Sequence, residues 1–488
     1  MPRRILLGVL LVPLVTACGP GVGMAGLVVF SNIRINYSST EVTDTVDTGE
    51  KALSCAASDV FTLVNPTSSA ASALSISGLD SFPGIDISSN CGSSLAAGAS
   101  CQVTVSYTPT SSGDLSGTLS VSFVNGERTV TKSVTVDATV PAWYPGGWCY
   151  RQKITVPHSQ VGATLTDFPV LVKTTDTSNA LFANAQADGD DILFSLESDA
   201  TTKLAHEIEN YSSSGELEAW VKIPSLSSTT DTVFYMYYGK ADATNQQDGT
   251  DVWDSGYQGV WHLQQSVTNG VNGLLDSTSN ANHGAPANYL SDGTSTTAYS
   301  AKIYKGVLQS RTGDEGITVS PAASLAVSYI TLEAWARQDD AASNNQRIAE
   351  RCINSGNCTQ HIYQMVVGNG GGASFNIYTQ TGSQSGANTG TPPTTGTWHH
   401  FVGTFDGTTL ALYVDGVVSG TNGSLAGQTI RTASTGLGLG IGRQLERNSR
   451  SLGGAIDEVR LSNLARSAEW IAASYANQSS PSTFCVFE

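Results

Sequence analysis

Apolar and polar residues alternate with a period of two along most of this chain, and turn residues break the runs. Cys101, Val103, Val105 and Tyr107 share one face of a stretch, as do Leu119, Val121 and Phe123, then Val134 and Val136. That period belongs to a half-buried strand, whose successive side chains point to opposite faces. Composition agrees: 50 glycines and only 13% charged residues suit turn-rich β modules and leave little material for long helices. One helix-spaced stretch lies near the end. Ser467 is placed to cap it, Glu469 falls in its first turn, and Trp470, Ile471, Ser474 and Tyr475 repeat at helical spacing. The expected fold class is all-β with one short C-terminal helix, and 488 residues are enough for several domains.

The first residues speak to compartment. Arg3 and Arg4 precede an apolar run from Ile5 to Leu14, and Val15-Thr16-Ala17 leads into Cys18. Charge, a short greasy segment and small residues before a cleavage point make a secretory signal over residues 1–17, too short to span a bilayer. Val-Thr-Ala-Cys resembles the bacterial lipobox. The resemblance implies that Cys18 becomes the acylated N-terminus, where each buried methylene contributes about 0.8 kcal/mol to membrane binding. Gly19 in the next position favours the outer membrane or cell surface, and residues 18–26 form a tether. The membrane is thus an expected partner through the N-terminal lipid; no later segment is apolar enough to cross it. A net charge of −17, from 24 basic and 41 acidic residues, repels nucleic acid and excludes it as a partner.

Three modules follow. Residues 27–140 carry the alternating runs above; Cys91-Gly-Ser-Ser-Leu-Ala-Ala-Gly-Ala-Ser-Cys101 and Tyr107-Thr-Pro-Thr-Ser-Ser-Gly113 resemble the immunoglobulin-like repeats of bacterial surface proteins, which act as spacers. Residues 143–251 contain Trp148-Cys-Tyr-Arg-Gln-Lys-Ile-Thr-Val156, Asp167-Phe-Pro-Val-Leu-Val172, Leu204-Ala-His-Glu-Ile-Glu209 and Thr232-Val-Phe-Tyr-Met-Tyr-Tyr-Gly239. In that order they resemble a bacterial envelope domain of unknown function, often placed beside laminin-G-like modules. Residues 252–466 run through Gly259-Val-Trp-His-Leu263, Ile330-Thr-Leu-Glu-Ala-Trp-Ala336, Thr397-Trp-His-His-Phe-Val-Gly-Thr-Phe-Asp-Gly407 and Gly454-Ala-Ile-Asp-Glu-Val-Arg-Leu461. They resemble laminin-G-like, concanavalin-A-like jelly rolls, and residues 467–488 supply the C-terminal helix and tail. Leu410, Leu412 and Val414 face one side of a strand that ends at Asp415-Gly416, a favoured hairpin turn.

Seven cysteines besides Cys18 lie in an oxidising compartment, where pairing is the default. Spacing predicts Cys91 with Cys101 and Cys352 with Cys358. Zinc at Cys352, Cys358 and His361 lacks a fourth local ligand. Cys149 and Cys485 fall where the envelope family more often has another residue, and domain ends often lie close together. These two are expected to pair, leaving Cys55 odd; the alternative joins Cys55 to Cys91 or Cys101.

Concanavalin-A-like folds include glucanases as well as lectins. Retaining hydrolysis needs two carboxyls about 5–5.5 Å apart, and the Glu-x-Asp-x-x-Glu pattern that supplies them is absent. Glu207 with Glu209 and Glu216 with Glu218 each share a face; Asp457 and Glu458 are expected on opposite faces, as are His399 and His400. No His-Glu-x-x-His and no Gly-x-Ser-x-Gly occurs. The jelly-roll resemblance implies a structural calcium held by Asp276, Asn280 or Asn282, and Asp457, whose oxygens suit a hard cation. Tyr363, Tyr378 and Trp398 are aromatic candidates for stacking on sugar rings. The expected function is non-catalytic binding or adhesion, with a glycan or a surface protein as partner. The alternatives are a structural envelope component and a glycan hydrolase.

Overall fold

A computed structural model describes residues 33–141, 147–196, 199–265, 273–289, 299–340, 345–353, 358, 360–369, 372–391, 393–432, 437–445 and 450–488. The signal 1–17, Cys18 and the tether 18–26 lie outside the described residues. Two compact units emerge among the described residues: one from those up to Gly49 with Ser58–Tyr107 and Leu115–Ala138, the other from Glu50–Ala57, Thr108–Asp114 and those from Thr139 to Glu488.

The first unit holds two five-stranded sheets. Their buried rows are those the alternation predicts: Val103, Val105, Tyr107, Leu119, Val121, Phe123, Val134 and Val136 are at most 2% exposed. Cys91 and Cys101 are bonded, as their spacing predicts.

The second unit begins with a five-stranded sheet and a three-stranded sheet. The three-stranded one places Glu216–Leu226 between Leu165–Thr174 and His206–Ser212. Next comes the jelly roll, an eight-stranded and a seven-stranded sheet enclosing a core that includes Trp261, Leu332, Phe375, Phe405, Ile441 and Ile456. Leu410, Leu412 and Val414 do face that core, and Asp415 (φ +52°) with Gly416 (φ +78°) turn the hairpin as its mirror-image type requires.

The C-terminal helix Ala468–Ser479 is capped by Ser467, whose Oγ accepts from Trp470 N at 3.2 Å. One flank of the helix meets the middle sheets. Asn477 Oδ1 accepts from Leu171 N at 2.6 Å, and its Nδ2 donates to Leu171 O at 2.9 Å. The adjacent Gln478 meets the jelly roll: Trp335 Nε1 donates to its Oε1 at 2.6 Å, and its Nε2 donates to Glu333 Oε1 at 3.2 Å. Val486–Phe487 then adds an edge strand to Tyr150–Val156. Middle sheets and jelly roll therefore share their last element.

The expected Cys149–Cys485 bridge is corrected. Cys149 is bonded to Cys55, and Cys485 is a buried free thiol. The tail does return to the start of the middle sheet, but by strand pairing in a register that opposes Thr155 to Val486. Cys485 thus sits level with Val156, and seven residues of strand, about 23 Å, separate it from Cys149. Cys352 and Cys358 are bonded as their spacing predicts.

Candidate functional site

The two outer faces of the jelly roll are built differently. On the eight-stranded sheet the outward positions are ionisable yet buried: Glu333, Asp457, Glu458, Arg460 and His400 are at most 3% exposed. Asp457 and Glu458 do not point to opposite faces. Glu458 has a φ of +51° within a register shift between the paired strands, and this bulge turns both carboxyls, with Arg460, away from the apolar core. His262, just past the strand Tyr257–Trp261, binds the cluster together. Its Nδ1 is 2.6 Å from Glu458 Oε1 and 3.6 Å from Glu209 Oε2, and its Nε2 is 3.4 Å from Glu207 Oε2. Arg460 donates to Glu458 Oε2 at 2.6 Å and lies over Trp220, 4.3 Å from the ring centroid. On the far side His400 Nε2 is 2.9 Å from Glu333 Oε1.

Electrostatics divide these groups sharply. Burial opposes charge on His262, but Glu458, Glu207 and Glu209 together hold its imidazole protonated well above the usual range. Burial also works against Glu333, whose pKa Arg460 and His400 nevertheless bring down to about 2. Glu209 and Asp457 go the other way: burial and the neighbouring Glu458 raise both, Asp457 to about 8. Near neutral pH the cluster pairs an imidazolium and a guanidinium with ionised Glu207, Glu458 and Glu333, while Glu209 and Asp457 keep their protons. Two carboxyl oxygens, Glu209 Oε1 and Asp457 Oδ1, have no hydrogen-bond partner. This cluster joins the middle sheets to the jelly roll through buried contacts.

The residues implied for calcium are each held by hydrogen-bond partners of their own. Asp276 already accepts from Val260 N, Thr278 N, Thr278 Oγ1 and Asn282 N at 2.8–3.0 Å, so it braces its own loop. Asn280 donates to Gln258 O at 3.4 Å. Asp457 Oδ2 accepts from Lys302 N and Ile303 N. Among the described residues, the groups with ligand spacing are Glu209–His262–Glu458 and Glu350–Cys352–Cys358, and the second holds its sulfurs in a disulfide. Asp276 and its neighbours do not fit a cation site as arranged. Of the remaining acid pair, Glu216 is exposed and Glu218 is paired with Lys173 at 2.9 Å.

The seven-stranded sheet presents a different outer face. Register places Gly440, Glu350, Gln364, Asn376 and Gly386 directly opposite one another across five strands. The next row holds Arg347, Val366, Ser374 and Asn388. Arg347 Nε lies 3.2 Å from Glu350 Oε1, and Asn376 Nδ2 donates to Ser374 Oγ at 2.9 Å. Gln364 is 7% exposed, and its Oε1 has no hydrogen-bond partner. Gly386 is needed where it stands, because a Cβ there would come within 2.1 Å of Asn376 Oδ1. At the end of the ladder His361 is kept neutral: burial and Arg347 lower its pKa to about 3. A carboxylate and two amides in one row, with a guanidinium in the next, can both donate to and accept from vicinal hydroxyls.

The aromatic candidates divide. Tyr363 is wholly buried and donates to Leu325 O, so it is core. Tyr378 and Trp398 are half-buried beside arginines, Arg431 and Arg337, at 5.8 and 5.7 Å from the ring centroids. Periodicity did not single out the ladder or the buried cluster as sites. The signal for the ladder is a polar residue between two core residues, in Tyr363-Gln364-Met365 and again in Phe375-Asn376-Ile377.

With that geometry in hand, comparison with known proteins agrees on class. Residues 311–472 match the family described as the concanavalin A-like lectin/glucanases superfamily. Residues 188–263 match a domain of unknown function, DUF2341. The second match crosses the expected boundary at 251/252 and takes in His262. The second half of the chain is a concanavalin-A-like jelly roll. Similar solved structures include domain 4 of AbnA, an extracellular GH43 arabinanase from Geobacillus stearothermophilus, in complex with arabinotriose. Identity there is 18%, covering 43% of this chain and 97% of that one, with a TM-score of 0.33. Another is the native heptameric SAP-like pentraxin of Limulus polyphemus, with 19% identity, 30% and 69% coverage and a TM-score of 0.24. A third is the CBM40 of the Ruminococcus gnavus IT-sialidase bound to α2,3-sialyllactose, with 13% identity, 31% and 84% coverage and a TM-score of 0.27. No curated protein matches. Among the described residues, no helix is long and apolar enough to cross a membrane.

Proposed function

We propose that this chain is an exported, lipid-anchored surface protein that binds a glycan without transforming it, through the outer face of the seven-stranded sheet. The observation that carries the reading is the cross-strand ladder Glu350–Gln364–Asn376, flanked by glycines, on a jelly roll whose other sheet has its outward ionisable groups buried against the middle sheets. Planar amide and carboxylate groups a strand apart match the spacing of hydroxyls along a sugar; the half-buried Asn376 is the member of the row open to a hydroxyl, and beside it Gln364 Oε1 lacks a partner. Export is supported by the signal-like start and by three disulfides among the described residues. Cys18 is the proposed point of lipid attachment.

A glycan array probed with the chain from Gly19 onward tests this. Selective binding that is lost in Gln364→Ala/Asn376→Ala, with unfolding unchanged, is the expected result. Binding that survives the double variant, or no binding to any glycan, overturns the ladder as the site.

A further inference from the structure

We propose a second carbohydrate site, for carboxylated sugars such as uronates or sialates, in the groove where the middle sheets meet the jelly roll. Two adjoining cavities, about 430 and 510 Å3, share Lys173 and Thr175; the first is lined by both modules, the second by the middle sheets and the C-terminal tail. Each lies within the roughly 300–1,000 Å3 usual for small-ligand clefts. The first cavity exists only where the modules meet: Lys173 belongs to the strand Leu165–Thr174, whereas Lys302, Tyr304 and Lys305 come from the jelly roll.

Charge makes the first cavity specific. Lys173 is already committed to Glu218 and also donates to Ile303 O. Lys302 and Lys305 are not. Their ammoniums lie over aromatic rings, 4.6 Å from the centroid of Trp335 and 4.8 Å from that of Tyr304, and among the described residues neither is in an ion pair. The remaining carboxylate in the cavity is Glu216, so the pocket is cationic in a chain of net charge −17. Burial lowers the pKa of Lys302 against the pull of Asp415 and Asp457, with Lys173 adding to the fall, so an arriving anion offsets part of that burial.

The second cavity supplies what an inorganic anion would not use. Gln152, Asn179 and Ser482 line it, and Asn179 Nδ2 donates to Gln152 Oε1 at 3.0 Å. Amides and hydroxyls beyond a pair of lysines suit a ligand with a carboxylate at one end and hydroxyls along its length. A long polyanion such as nucleic acid is repelled by the chain's overall charge.

The site rests on the glycan reading only for the ligand's sugar character; its residues are separate from the ladder. The test is calorimetric titration of the full chain with trigalacturonic acid and with sialyllactose, each against its neutral counterpart, galactotriose or lactose. At least one acidic probe should bind about tenfold tighter than its counterpart. That preference should shrink as salt rises from about 50 to about 300 mM. Lys302→Gln/Lys305→Gln should lose about tenfold, while Gln364→Ala/Asn376→Ala keeps the acidic probe. Should the double lysine variant unfold, Lys305→Glu at the start of its strand should abolish the preference alone. Equal affinity for acidic and neutral probes overturns the proposal, as does no binding of either acidic probe. So does acidic binding lost in the ladder variant but kept in the lysine variant, a result that leaves the ladder standing.

Discussion

The two outer faces of this jelly roll use similar residues to opposite ends. Under the eight-stranded sheet, carboxylates, histidines and an arginine are closed against the middle sheets and the C-terminal helix, each ionised group matched to a partner. Across the seven-stranded sheet, the polar row Glu350–Gln364–Asn376 has no second layer of sheet laid over it among the described residues, and one amide oxygen is left without a partner. Both faces leave buried atoms unpartnered, Glu209 Oε1 and Asp457 Oδ1 on the first and Gln364 Oε1 on the second. Burial does not separate the two faces, since Glu350 is 1% and Gln364 7% exposed; the difference is that the first face bonds, as a brace, to the middle sheets and the C-terminal helix.

The largest effect should come from breaking the brace. Arg460→Ala strands Glu333 and Glu458 without their guanidinium and should cost about 3–5 kcal/mol in denaturant unfolding. A loss under about 1 kcal/mol would show that the cluster is not holding the layers together. Removing the Cys55–Cys149 bridge by Cys149→Ser should cost about 2–4 kcal/mol, given the 94 residues between the two cysteines. An unchanged midpoint would mean that the bond does not form in solution.

pH sharpens the contrast, because Asp457 belongs to the brace alone. In the folded chain it keeps its proton up to about pH 8, whereas an unfolded aspartate loses it near 3.8. Its contribution is therefore full below pH 3.8 and lost as pH rises toward 8. Asp457→Asn cannot titrate, so the variant should gain on the wild type by more than about 1 kcal/mol between pH 4 and 8. Parallel stability curves would contradict the protonated assignment. On the other face, Gln364→Ala should shift stability by less than about 1 kcal/mol yet abolish glycan binding. The smallest effect concerns calcium. Because Asp276 is already saturated by hydrogen bonds, EDTA followed by calcium should move Tm by less than about 1 °C; a rise of several degrees would mean that its loop rearranges around the ion.

Much of this architecture is legible in the residues themselves. The inward rows Val103–Tyr107 and Leu119–Phe123, the Asp415-Gly416 hairpin and the Ser467 cap are local patterns, and each forms as read. What local pattern cannot supply is register. The bulge at Glu458 reverses the expected side of its carboxyl, and the pairing of Thr155 with Val486 moves Cys485 away from Cys149. The ladder shows the same limit. Gln364 and Asn376 are visible as polar residues within core strands, but only strand pairing puts them side by side with Glu350. His262 was harder still, since its partners Glu207 and Glu458 stand 55 and 196 residues away.

The most direct test of the two-face account is hydrogen exchange on the full chain, with and without a saturating neutral glycan found by array. Protection on binding should appear in Gln346–Cys352, His361–Asn369 and Gly372–Tyr378, with Ile330–Gln338 and Gly454–Ser462 already slow and unchanged. New protection confined to the eight-stranded sheet would contradict it, placing the ligand on the face assigned here to the brace.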